Sequence, residues 1–83
     1  MQQNEIEQKI TTFLIKHRGV KAGTFTTEEE IFSNGVIDSL TTLELTIFIE
    51  DEFGIAVDEE KIACLGSIRK AAASIVQAAS TGR

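Results

Sequence analysis

Residues 38–54 read DSLTTLELTIFIEDEFG, and the apolar residues of this stretch recur at the spacing of an α-helix. Asp38 or Ser39 can begin this helix, because either side chain can accept a hydrogen bond from a free amide of the first turn. Gly54 can end it after Phe53, since glycine readily adopts the left-handed backbone that terminates helices. The stretch therefore predicts a helix with clear signals at both ends.

This helix is apolar on two opposite sides. Successive residues turn by about 100°, so that with Leu43 at zero one apolar side, the core face, spans roughly 140° to 280°. The core face consists of Leu45, Phe48, Ile49 and Phe53. The other side carries an apolar strip of Leu40, Leu43 and Ile47 and an acidic rim of Glu44, Glu50 and Asp51. An apolar centre with a polar edge is typical of a transient protein interface, and the alternative is that the strip packs beneath the preceding loop.

Three further segments are predicted to be helical. The apolar face of the first is formed by Ile6, Ile10, Phe13 and Leu14. Gly19 is its expected end, and a segment of one or two turns should follow Asp58. Ser67 is the expected cap of a last helix, although Arg69 and Lys70 in its first turn oppose the helix dipole. The face of that helix is formed by Ile68, Ala71, Ala72, Ile75, Val76 and Ala79.

Residues 20–37 form the expected loop between the first two helices. Thr27 and Glu30 have the spacing of a capping box, which predicts a single helical turn that carries Ile31 and Phe32 inward. Further apolar residues favour packing of the loop over disorder, namely Phe25, Val36 and Ile37. No segment alternates as a strand does. The sequence therefore predicts an all-α fold, a small three- to four-helix bundle with a long loop between the first and second helices. It is one domain over residues 1–83, with a frayed tail at 80–83.

The charge of the chain limits its partners. It has 83 residues and a net charge of −5, and residues 28–60 contain eleven Asp or Glu and no Lys or Arg. Such a surface repels nucleic acid and favours basic protein surfaces. Cys64 is the only cysteine, so no intramolecular disulfide can form, and we expect its thiol to be partly buried. No apolar run approaches the ~18 residues that span a bilayer, and we expect a cytoplasmic monomer.

The sequence resembles the acyl and peptidyl carrier proteins along essentially its whole length. The motifs that carry the resemblance are GVIDSL at 35–40, LEL at 43–45 and EDEFGI at 50–55. The resemblance implies that the hydroxyl of Ser39 is esterified through a phosphodiester to 4′-phosphopantetheine. The thiol of that arm would carry an acyl or aminoacyl thioester between the enzymes of fatty-acid, polyketide or other secondary-metabolite biosynthesis. Asp38 would help to orient the modifying transferase and its metal.

The same resemblance assigns the second helix to partner recognition. The acidic rim of Glu44, Glu50 and Asp51 would meet basic residues of the partners, and the apolar strip of Leu40, Leu43 and Ile47 would supply apolar contact. The implied partners are a phosphopantetheinyl transferase, an acyl-loading ligase or acyltransferase, and downstream synthases with basic surfaces. The carried chain would shelter against Leu45, Ile49 or Ile62.

The sequence also departs from one branch of the family. Many fatty-acid carriers have a small residue between the glycine and the aspartate and an acidic residue soon after the serine. Here Val36, Ile37 and Thr41 stand in this region, and the chain looks more like stand-alone carriers of secondary metabolism, including D-alanyl and peptidyl carriers.

Other classes of function have less support. An enzyme needs a base beside its nucleophile, and the only histidine is His17, which we expect to be solvated at a helix end. The acidic residues at 51–60 lack the spacing of a calcium loop, so no metal site is expected. The alternative from another class is an unmodified acidic helical interaction module, which would use the same apolar strip.

Overall fold

The computed structural model describes residues 2–18, 26–32 and 37–81, and in these ranges it contains four helices and no strand. The helices are α1 (Gln3–Arg18), α2 (Ser39–Phe53), α3 (Glu59–Leu65) and α4 (Ile68–Thr81). The all-α bundle is therefore confirmed. α4 includes the first two residues of the expected tail, 80 and 81. The expectations for Gly19, Phe25 and Val36 fall outside the described residues.

One core joins the four helices to the loop. α1 packs against both α2 and α4, and α3 lies against α2 and α4. The buried apolar side chains are Ile6, Ile10, Leu14, Ile31, Phe32, Ile37, Leu45, Ile49, Ile62, Ile68, Ala71, Ala72 and Ile75. Phe48 and Phe53 of the predicted core face are only partly buried and pack at the edge of this core. Within the described ranges, no helix is both long enough and apolar enough to span a bilayer.

The ends of the helices follow the local signals in the sequence. Asp38 Oδ1 accepts a hydrogen bond from the Thr41 amide at 2.8 Å, which caps α2. Gly54 adopts φ 71°, and its amide donates to the Glu50 carbonyl at 2.9 Å, which ends the helix. Asp58 caps α3 in the same way as Asp38 caps α2. The expected bounds of α2 are confirmed.

The described part of the loop folds differently from the expected helical turn at Thr27. Glu29 donates its amide to the Thr26 carbonyl at 3.3 Å, so a turn begins one residue earlier. The Thr27 carbonyl instead accepts the Arg69 amide at 2.8 Å, which ties the loop to the start of α4. The single helical turn was therefore a wrong prediction, because a tertiary hydrogen bond takes the Thr27 backbone. The prediction that Ile31 and Phe32 point inward is confirmed, since both are buried.

The basic residues at the start of α4 are paired with the loop. Arg69 forms an ion pair with Glu28, and Lys70 Nζ lies 3.8 Å from a carboxylate oxygen of Glu30. These carboxylates offset the unfavourable position of two cations at a helix N-terminus. Ser67 Oγ accepts the Lys70 amide at 3.2 Å, which confirms the predicted cap.

Cys64 is exposed, so the prediction of a partly buried thiol is wrong. The helix that carries it has only seven residues and buries only Ile62 fully. Cys64 lies on the other side of this short helix, facing solvent, because the core needs only one narrow face of α3.

Candidate attachment and recognition site

Ser39 is the first residue of α2 and is exposed. The capping hydrogen bond is supplied by its neighbour Asp38, so the Ser39 hydroxyl is not needed to hold the helix end. In the part of the chain that the structure describes, no hydrogen bond engages that hydroxyl. Ser39 Oγ is therefore open to solvent, beside the free amides and the positive dipole end of a helix.

A small cleft opens beside Ser39, between the N-terminal turn of α2, the loop and α3. Its volume is about 220 Å³. Its walls are formed by Phe32, Ile37, Ser39, Thr42, Glu59, Glu60 and Ala63. Two loop hydrogen bonds fix this wall: Phe32 donates its amide to the Gly66 carbonyl at 3.0 Å, and Ile37 donates to the Ile31 carbonyl at 3.0 Å. The cleft is thus a built part of the fold, adjacent to the exposed hydroxyl.

The apolar strip is exposed along its whole length. Leu40, Leu43 and Ile47 have 64%, 43% and 54% of their surface accessible. The alternative in which the strip packs beneath the loop is therefore wrong. The side of α2 that does face the core also buries Thr41, Thr42 and Thr46, which the apolar pattern did not single out. Thr42 and Thr46 satisfy their hydroxyls by donating to carbonyls of α2 and the residue before it.

The three residues of the acidic rim differ in exposure and in their contacts. Glu50 and Asp51 are exposed. Glu44 is half-buried, and its Oε1 lies 2.6 Å from Nε2 of His17. His17 in turn stacks on Phe13, with ring centroids 4.9 Å apart. His17 is exposed near the end of α1, as predicted, and its contacts with Glu44 and Phe13 come in addition to that prediction.

The sequence indicates only one of the two contacts of His17. Phe13 and His17 are four residues apart on one helix, so the helix places their rings side by side. Glu44, however, lies on another helix, 27 positions along the chain. Only the packing of α1 against α2 brings the carboxylate to the imidazole.

Leu45, Ile49 and Ile62, the predicted shelter for a carried chain, are all buried within the core. An attached chain can contact them only if α2 and α3 move apart. The described residues contain no group of three or more His, Cys, Asp or Glu that could hold a metal ion.

Asp38→Ala tests the cap beside the candidate site. We expect it to lower the free energy of unfolding by about 1 kcal/mol, because the Thr41 amide loses its acceptor. Asp38→Asn should keep most of that stability, since asparagine caps helices well. Urea unfolding measures both variants, with the exposed Asp51→Ala on the same helix as the control. Equal stability of Asp38→Ala and Asp51→Ala would contradict the capping role.

The sequence has a curated relative that covers nearly all of the chain. This relative, named acyl carrier protein, is from Akkermansia muciniphila and is 31% identical over 75 residues, which cover 90% of this chain and 94% of the relative. The chain belongs to the acyl carrier protein family. No protein-family model matches it, and no solved structure matches it. Membership of this family supports a carrier role rather than a catalytic one.

Proposed function

We propose that the chain carries acyl or aminoacyl groups as thioesters on a 4′-phosphopantetheine arm esterified to Ser39. The observation that carries this proposal is the exposed Ser39 hydroxyl at the first residue of α2, with the cap of the helix supplied by Asp38 instead. A serine that caps its own helix would have to give up that hydrogen bond on modification. Ser39 can be esterified with α2 left intact.

The surroundings of Ser39 fit a phosphopantetheine group. Free amides and the positive end of the α2 dipole favour a phosphodiester at this place. The adjacent cleft, with Phe32 and Ala63 in its walls, offers apolar contact to the part of the arm nearest the phosphate. When bound, the arm supplies the thiol that forms the thioester. The protein itself supplies a rigid, exposed attachment point.

Asp38 has a second proposed role beside its cap. It is exposed and directly precedes Ser39, so a transferase that reaches the serine must also contact this carboxylate. We propose that Asp38 helps to orient the transferase and its metal. Asp38→Asn separates the two roles, because it keeps the cap and removes the charge.

The proposed partners bind the exposed face of α2. They are the phosphopantetheinyl transferase, an acyl-loading ligase or acyltransferase, and downstream synthases, each with a basic surface. The apolar strip provides contact area, and the acidic rim steers the encounter. Exposed charges act mainly on the rate of association and on specificity, so these complexes should be weak and sensitive to salt. We place this work in the cytoplasm, with the carrier as a monomer.

Reversal of charge at the acidic rim should slow the modification. We expect Glu44→Lys and Asp51→Lys to reduce the rate of phosphopantetheine transfer several-fold at low salt, because a basic partner then meets a cation. Helical content by circular dichroism should not change. Glu5→Lys, the same charge change on the exposed first turn of α1, is the matched control and should leave the rate unchanged. Equal rates for the three variants would place the recognition surface elsewhere.

Intact mass spectrometry tests the proposal itself. The full-length protein is incubated with coenzyme A and a phosphopantetheinyl transferase of broad specificity. We expect the mass to rise by one phosphopantetheinyl group per chain. A mass that stays unchanged would refute the carrier proposal and favour the unmodified interaction module.

A further inference from the structure

A second cleft lies at the edge of the apolar strip, where α1 crosses α2. Its volume is about 320 Å³. Its lining residues are Phe13, His17, Glu44, Ile47, Phe48 and Asp51. Ile47 belongs both to this cleft and to the exposed strip, so the cleft continues the surface of α2 onto α1.

The floor of this cleft is aromatic and firmly held. The Phe13 and Phe48 rings stack with centroids 4.6 Å apart, and the Phe48 and Phe53 rings pack edge to face with centroids 6.2 Å apart. Both Phe13 and Phe48 pack against the core from partly buried positions. The apolar carbons of Phe13, Ile47 and Phe48 in this lining offer contact to one aliphatic side chain.

The charged residues that line the cleft indicate which kind of partner residue can lie beside that aliphatic side chain. Glu44 and Asp51 line the cleft, and no Lys or Arg does among the side chains that the structure describes. His17 Nε2 contacts Oε1 of Glu44, and Oε2 has no partner in the described part of the chain. A contact to Nε2 of the imidazole positions one oxygen of the carboxylate and leaves the other oxygen open. Glu44 is thus held in one orientation with an oxygen available to a cation.

We propose that the recognition surface extends from α2 onto α1, and that this cleft takes an aliphatic anchor side chain of a partner segment with an arginine or lysine beside it. His17 is a positioning residue that holds Glu44 for this cation. The inference deepens the carrier proposal and rests on it for the identity of the partners. It differs from that proposal in giving α1, through Phe13 and His17, a part in recognition.

Titration with synthetic peptides tests this inference. The probe is a peptide with one leucine flanked by arginines, and the matched peptides replace the leucine by serine or the arginines by glutamine. NMR of the labelled full-length chain should show the largest shifts at Phe13, Ile47 and Phe48, and only for the leucine-containing peptides. Shifts spread evenly over the acidic surface, or no binding at millimolar peptide, would overturn the inference.

Variants separate positioning from a merely structural role. We expect His17→Ala to weaken the arginine peptide about threefold and to leave the glutamine peptide unchanged, because His17 acts through the charge of Glu44. His17→Gln, which can still donate to the carboxylate, should restore most of the affinity. Equal losses for both peptides, or tighter binding of the arginine peptide, would refute the positioning role.

The contact to the anchor side chain has its own matched pair of variants. Ile47→Ala should weaken the leucine peptide, whereas Ile15→Ala, the same change on the opposite side of α1 from Phe13, should not. Neither side chain belongs to the buried core, so both variants should fold. Equal effects of the two variants would refute this contact. Titration of the Ser39→Ala chain gives the same result if the inference holds, since no arm takes part. Failure of pantetheine attachment is therefore distinguishable from failure of this inference.

Discussion

Ser39→Ala is expected to abolish attachment of phosphopantetheine completely while leaving the stability of the chain unchanged. The substitution removes the only atom that can form the proposed phosphodiester at this position. Intact mass after incubation with coenzyme A and a transferase should equal that of the untreated variant. No thioester can then form, so loading with any acyl donor should also be absent.

The unchanged stability follows from how the end of α2 is built. Asp38 caps the helix, and Ser39 is exposed without a structural hydrogen bond in the described residues. Alanine is the best helix former, so it is well tolerated at this first helical position. The matched control is Ser74→Ala, a serine of α4 far along the chain, which should still gain one group. Attachment to the Ser39→Ala chain would contradict the assignment.

Leu45→Ala should lower the free energy of unfolding more than Asp38→Ala, Ser39→Ala or Leu43→Ala. Leu45 is on the core-facing side of α2 and has no accessible surface. Removal of a fully buried leucine side chain typically costs about 3 to 5 kcal/mol, from lost burial and the cavity left behind. Small domains have a total stability of only about 5 to 15 kcal/mol, so this variant should be close to unfolding at room temperature. Urea unfolding followed by circular dichroism measures the loss.

Leu43→Ala is the matched control for this prediction. It makes the same chemical change two residues away on the same helix, where 43% of the leucine surface is exposed. We expect a loss below about 1 kcal/mol, since little burial is removed. Similar losses for Leu43→Ala and Leu45→Ala would contradict the assignment of the two sides of α2.

Local signals in the sequence were enough to predict the helices. Asp38 and Gly54 set the bounds of α2 because a cap and a left-handed glycine act on neighbouring backbone groups. The same holds for the Ser67 cap of α4. The pattern also predicted the two apolar sides of α2, but it left open whether the apolar strip is exposed or packs beneath the loop, and the structure shows it exposed.

Features that depend on contacts between distant segments were not predictable. The Thr27 carbonyl accepts from Arg69, so the loop turn forms one residue earlier than the capping pattern indicated. His17 meets Glu44 only because α1 crosses α2. Cys64 is exposed because the short α3 needs a single buried side chain, Ile62, to join the core. In each case the sequence shows which interactions the group can make, but its contacts or its exposure depend on how distant segments pack.

Fragmentation mass spectrometry of the transferase-treated full-length chain is the most direct test of the attachment site. It reports which residue carries the added group, without any substitution that could disturb the fold. We predict one phosphopantetheinyl group, placed on Ser39. A group on another residue, or fragments that carry none after complete incubation, would contradict the account.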